Sequence, residues 1–286
     1  MTDITTIEQK GTLVFNACAL SAMLLCLSTV SDAVAAPKKA KPPKGLDECS
    51  EPYTLDVSHR WPIGERIRYG LWLDGLAVGS VEFGVANQGN VNNIEATEFV
   101  SRFKVDELVA ALLPVHGEAH SIVPVGSIMP LRMWNDYFLD GRKYRETFDQ
   151  PRSGMLKAER VRDGSAKVRA TRELPGPILD FVSGFYVLRS GSLKESACTL
   201  VFGSHRVHTV HLEPLGNEDV ATPIGQRPAE KLRIRYGAER SKVVHEAFIW
   251  VSTSADRLPY RVEIKGKHHI IVKIDMYDPG QIAALP

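Results

Sequence analysis

The sequence has no field of one charge sign. Lys and Arg total 35 against 34 Asp and Glu in 286 residues, a net charge of +1. Setting aside the first 35 residues (Lys10 against Asp3, Glu8 and Asp32) leaves 34 basic and 31 acidic side chains. Nucleic-acid binding needs a concentrated basic face, so no nucleic acid is expected as a partner. A P-loop, a Gly-x-Gly-x-x-Gly fingerprint, a His-Glu-x-x-His pair and a Gly-x-Ser-x-Gly elbow are all missing, which removes the common phosphate, dinucleotide, zinc-protease and esterase signatures. No repeat of fixed period is present, against a propeller or solenoid. After residue 35 no apolar run is long enough to span a bilayer.

The first 35 residues are different in kind. A polar start (Met1 to Lys10) leads into an apolar run from Leu13 to Val30, then Ala33-Val34-Ala35 and Ala36-Pro37. That order of n-region, h-region and Ala-x-Ala site reads as a secretory signal cut after Ala35. The same run is just long enough for an uncleaved anchor, and Lys10 is the n-region's single basic residue. The expected location is the periplasm of a Gram-negative bacterium, with membrane contact only if the segment is kept. Cys18 and Cys26 lie inside the run without the small residues of a lipoprotein site.

Cysteine is otherwise scarce: Cys49 and Cys198 remain. In an oxidising compartment two cysteines pair, so a Cys49–Cys198 disulfide is expected, against two separate buried thiols. Residues 36–52 open with a basic, Pro-rich stretch and read as a flexible linker. A single β-rich domain is expected over 53–278, with a short tail at 279–286.

Alternation, the strand period, dominates that domain. Ile67, Tyr69, Leu71 and Leu73 share one face, and Asp74-Gly75 then signals a two-residue hairpin. Similar segments follow up to His269–Ile274, with further turns at Asp140-Gly141 and Asp163-Gly164. Two segments have helical spacing instead: Val105 to Leu113, ended by Pro114, and Ile178 to Leu188, after Pro175-Gly176-Pro177. About a dozen strands with two short helices predict a mainly β fold, a large curled antiparallel sheet or half-barrel with the helices packed on it.

The candidates for chemistry are thin. His205, His208 and His211 are three apart, so a regular strand puts His208 on the face opposite the other two, and one metal cannot collect all three. They read as solvated strand histidines, and His116 and His120 show no recognisable partner. Ser183 lacks an elbow, and Asp74, Asp140 and Asp163 sit in turns, where carboxylates serve backbone geometry. No catalytic residue, metal or cofactor is expected. The aromatic residues are core candidates first. A hydrophobic cleft between the curled sheet and the two helices is the functional alternative, with Leu108, Leu112, Phe181, Phe185 and Tyr186 as the residues that would line it.

Several phrases carry a family resemblance. Gly64-Glu65-Arg66-Ile67-Arg68-Tyr69 with Trp72, Asp74-Gly75 and Val78-Gly79 comes first. Ser101, Pro130-Leu131, Phe148-Asp149 and the run Asp180 to Arg189 follow, then Thr222-Pro223-Ile224-Gly225, Trp250-Val251-Ser252 and Asp256 to Val262. In this order the chain resembles DUF3108, a domain of unknown function in exported bacterial proteins, over about residues 62–275. The resemblance implies a periplasmic β-rich protein and supplies no catalytic residues. Cys49, Cys198 and the histidine-bearing strand depart from the pattern. The expected function is a non-catalytic envelope protein that binds a hydrophobic or envelope-derived ligand, or scaffolds envelope assembly, with a lipid, glycan or envelope protein as partner. The alternatives are an envelope hydrolase acting on polysaccharide or peptidoglycan, and a structural protein presenting an edge strand.

Overall fold

A computed structural model of the chain describes residues 45–49 and 61–280, except 112–113, 128, 140, 165, 205 and 267. The export segment and most of the linker lie outside these residues.

Fifteen strands, among them β2 (Leu76–Val91), β4 (His116–Pro124), β12 (Gly225–Ala238), β13 (His245–Ser252) and β14 (Pro259–Lys265), form one sheet in the order β8-β7-β6-β5-β4-β3-β2-β1-β15-β14-β13-β12-β11-β10-β9. The strands that begin and end the domain, β1 (Arg66–Leu73) and β15 (His269–Asp278), pair in its middle, with Leu71 opposite Val272. From that pair two meanders run outward. One reaches β8 (Ala166–Glu173); the other reaches β10 (Ala197–Gly203), beside which β9 (Ile178–Asp180) lies parallel. The turn chemistry is local: Asp74 and Gly75 have φ of 49° and 88°, and Asp163 and Gly164 have 48° and 74°. Both residues of such a hairpin turn must adopt positive φ, which Asp-Gly tolerates.

The expected alternation on β1 holds, with Ile67, Tyr69 and Leu71 buried. Strand twist curls the sheet until its two ends meet, but β8 and β9 do not pair. Side chains close the seam instead. Ile178, Leu200, Phe202 and Val207, from β9, β10 and β11 (Arg206–Thr222), form one buried cluster with Met133, Phe148 and Leu156 of β5 (Arg132–Leu139), β6 (Arg142–Arg152) and β7 (Met155–Arg162). Within it the fully buried amide of Gln150 does the work of a missing strand. Its Oε1 accepts from Ile178 N at 2.9 Å, and its Nε2 donates to Ile178 O at 3.1 Å and Pro130 O at 3.3 Å. Arg172 of β8 also forms an ion pair with Glu239. The result is a barrel-like shell without a continuous hydrogen-bonded wall.

The Cys49–Cys198 disulfide is present and belongs to the seam cluster. It fastens residues 45–49 to β10. Leu46 is buried there, and the Gly45 and Asp47 carbonyls accept from Arg235 and His211. Packing against the sheet therefore reaches back to Gly45, inside the stretch read as linker.

Both helical segments are shorter than their periodicity suggests. Helix α1 is a single turn, Glu107–Ala110, because Val105 stays in β3 (Ile94–Val105); one isolated turn gains little from helix hydrogen bonding. The second segment divides at Asp180. Ile178–Asp180 form β9, where Gln150 holds the backbone, and helix α2 runs over Phe181–Ser190. Asp180 is the N-cap: Oδ1 accepts from Val182 N at 2.8 Å and Ser183 N at 3.0 Å, and Asp180 N donates to Ser183 Oγ. Carboxylates cap helix starts by taking up such orphan amides.

Candidate functional site

Helix α2 lies inside the shell and is fixed at both ends. At its start, Ser121 Oγ of β4 (His116–Pro124) donates to Asp180 Oδ2 at 2.5 Å. Burial pushes the Asp180 carboxyl up, and these hydrogen bonds oppose that shift. At its end, the Arg189 guanidinium meets Glu65 in a bidentate pair of 2.7 and 2.8 Å, with both residues buried. It also donates to the Asp256 carbonyl and lies 4.7 Å over the Trp61 ring. An Arg fork matched to a carboxylate and further satisfied by a carbonyl and a ring face is the arrangement a buried charge requires.

Along its length the helix presents different faces to different walls. Tyr186 stacks on Phe99 at 3.9 Å and meets Trp61 edge-on. Phe185 stacks on Phe83 at 3.9 Å and meets Tyr69 edge-on. Between Phe181, Gly184, Phe185 and Leu188 on one side and strands β1, β2 (Leu76–Val91) and β10 to β15 on the other is a cavity of about 170 Å³. Its wall is almost wholly apolar, including Val201, Val210, Ile234, Ile249, Val262 and Val272. Phe181, Phe185, Val201, Val210 and Val262 are only half-buried although they face inward. The cavity is therefore accessible rather than sealed.

Among the described lining residues His208 is the one that is neither apolar, glycine, threonine nor tyrosine. It is buried, which corrects the reading of this strand's histidines as solvated. Burial pushes its pKa down to about 4, Arg206 and His245 push the same way, and a backbone hydrogen bond to Gly203 opposes them. The ring is thus neutral at pH 7. Tyr69 contributes a phenol that burial pushes far up, and its hydroxyl has no hydrogen-bond partner among the described residues.

The five residues expected to line a cleft separate. Phe181 and Phe185 line the cavity. Tyr186 lies on the neighbouring helix face, under Trp61 and Phe99. Leu108 does not contribute: it is 88% exposed, because α1 stands at the end of the shell instead of covering it. Leu112 lies outside the described residues. The residues missed are those of the strand walls and His208. One signal was available: His208 shares strand parity with Val210 and Leu212, the apolar face of β11.

The other described histidines occupy the outer surface. His120, expected to lack a partner, bridges Glu98 at 2.8 Å and Glu118 at 2.5 Å and stacks on Trp134. Both ring nitrogens are engaged on a sheet face. His211 serves the Asp47 carbonyl, on the face opposite His208. Among the described residues no His, Cys, Asp and Glu cluster has metal-holding geometry, and no helix is long and apolar enough to cross a membrane.

A shell of antiparallel strands with an internal helix and an apolar cavity defines a β-barrel-like protein. A family model described as a protein of unknown function (DUF3108) matches residues 66–267. The chain belongs to that family. No curated protein matches it. Among solved structures it is similar to a β-barrel-like protein of the DUF1849 domain from Brucella abortus, at 13% identity and TM-score 0.48, covering 77% of this chain and 98% of that one. It is also similar to a candidate exported protein with a YmcC-like fold from Bacteroides fragilis, at 8% identity and TM-score 0.35, covering 78% and 100%. A candidate lipoprotein from Parabacteroides distasonis gives 8% identity and TM-score 0.37, covering 78% and 99%.

Proposed function

We propose that the protein is an exported, non-catalytic periplasmic protein whose shell holds a hydrophobic ligand, an acyl chain or similar group of the envelope, against helix α2. The observation that carries this reading is the cavity: about 170 Å³ with an almost wholly apolar, partly exposed wall. Apolar surface left accessible in a folded chain marks a place where something else is buried. An apolar cavity of this order can take up a small hydrocarbon group, so one ring or a short stretch of chain fits while the remainder extends outward. The export segment supports the periplasm as the compartment.

Native mass spectrometry of the protein, purified gently from the periplasm, tests the proposal. A mass increment that solvent extraction removes and identifies as a lipid is the expected result. A protein that is empty in every preparation and takes up no lipid afterwards would count against it.

An edge-strand role is a second reading, supported by β8. Among the described residues it pairs with β7 on one side and has no strand on the other. Unpaired strand edges are templates for strand addition. A protein partner that stays bound through high-salt washes would favour this reading over ligand carriage.

A further inference from the structure

At about 170 Å³ the cavity holds a short stretch of chain, so the groups beside it read the rest of a ligand. One corner of the lining is formed by Phe181, the first residue of α2, and Gly203, the last residue of β10. The backbone sets them side by side, since Asp180 is opposite Phe202 in the β9–β10 pair. Both are half-buried, and a Cβ placed on Gly203 meets no atom within 4 Å. Arg206 is opposite Gly203 in the β10–β11 ladder, and opposed residues of an antiparallel pair carry their side chains on one face. It also precedes His208 by two residues, on the face from which His208, Val210 and Leu212 line the cavity. Arg206 therefore stands on the cavity face, next to the lining. Burial is the largest cause of the low His208 pKa, and the Arg206 charge is a further one. Burial also lowers the Arg172 pKa, and the charges of Arg240 and Arg206 act in the same direction. Glu239 forms its ion pair with Arg172. Among the described residues the side chains of Arg206 and Arg240 have no carboxylate partner.

We propose that Arg206 receives the anionic head of a single-chain amphiphile whose chain fills the cavity, so that the protein takes fatty-acid carboxylates or monoacyl phosphates in preference to alcohols of the same chain length. The assignment rests on the reading of the cavity as a ligand site. The wall itself offers no place for a negative charge. No Lys or Arg lines it, and an ion taken alone into apolar surroundings is costly. The head is therefore held beside the cavity and the chain within it. A guanidinium fork matches a carboxylate or phosphate with two parallel, charge-assisted hydrogen bonds. An uncharged hydroxyl makes a weaker bond to the same group, a difference of about tenfold in affinity.

The test is displacement of an uncharged, environment-sensitive naphthylamine dye from the purified protein by decanoate, decyl phosphate, decanol and decyltrimethylammonium. At neutral pH both anions should bind about tenfold more tightly than decanol, with the ammonium compound the weakest. The tighter of the two anions identifies the head as carboxylate or phosphate. Added salt should narrow the gap between anion and alcohol. Arg206→Gln should remove the advantage of the anions, and Arg206→Lys, which keeps the charge without the fork, should retain part of it. Arg227 is exposed near the opposite end of β11, across from Val220, and Arg227→Gln should leave the advantage in place. Equal binding of decanol and both anions, tightest binding by the ammonium compound, or an anion advantage that survives in Arg206→Gln would overturn the assignment. If the dye and all four probes bind without preference, the role of Arg206 falls and the cavity reading stands. If nothing binds, the cavity reading falls and the assignment with it.

Discussion

At the scale of single residues, buried polar groups account for much of what is specific to this chain. His208 is the one whose effect depends on pH. Its pKa is about 4 in the fold and about 6.5 in an unfolded chain, so the unfolded state binds more protons between those values. Stability is therefore full above pH 6.5 and lost as pH falls through 4, by about 3 kcal/mol from this group alone. Denaturant unfolding of the wild type and His208→Leu at pH 7.5, 5.5 and 4 checks this. The two should differ in slope over that window, and parallel curves would contradict it. Gln150 makes a second residue-scale prediction. Replacing it by Leu leaves Ile178 N and O without their seam partner, and about 2–4 kcal/mol of stability should be lost. At Glu65–Arg189 the sign depends on the partner. Arg189→Met alone strands a buried carboxylate and should cost about 3–5 kcal/mol. The double variant with Glu65→Leu should recover most of that loss.

At the scale of elements, α2 organises the interior, and its start depends on Asp180. Asp180→Ala removes the cap and the link to Ser121 together. Cap loss alone costs about 1 kcal/mol, so the loss should exceed that value; circular dichroism during thermal unfolding reads it. The disulfide acts on another element, the segment 45–49. Alkylation with and without reduction, read by intact mass, should find no free thiol at Cys49 or Cys198 before reduction. Breaking a bond that closes a loop of this length should cost a few kcal/mol.

Most of the strands were legible in the sequence because they carry their own two-residue period and their own turns, whereas β8 and β9 were not read as strands. The pattern from Ile67 to Leu73 and the Asp74-Gly75 turn require no tertiary information. Helix α2 was legible in its stripe but not in its first residue, because β9 forms only by pairing with β10 and with Gln150, 28 residues before Ile178. Helix α1 was overstated because apolar spacing alone cannot report that β3 extends to Val105. The cavity was half legible. Phe181 and Phe185 come from one helix, whereas the opposing wall is assembled from strands far apart in sequence, and no local pattern shows how they face one another.

At the scale of the whole molecule, the shell is closed by side chains rather than by a ladder. Among the described residues that leaves β8 as an open edge. The cavity gives this architecture a functional meaning, and Gly184 offers a way to remove it without harming the fold. Gly184 lines the cavity from within α2, and a Cβ placed there meets no atom within 4 Å. Gly184→Leu should therefore fill the cavity. It should also raise helix propensity by up to about 1 kcal/mol. The most direct test of the account is native mass spectrometry of wild type and Gly184→Leu, purified side by side from the periplasm, with melting temperatures measured on the same samples. The account predicts a lipid-sized increment on the wild type that is absent from Gly184→Leu, with the variant at least as stable. A wild type without any increment, or an increment that Gly184→Leu retains in full, would contradict it.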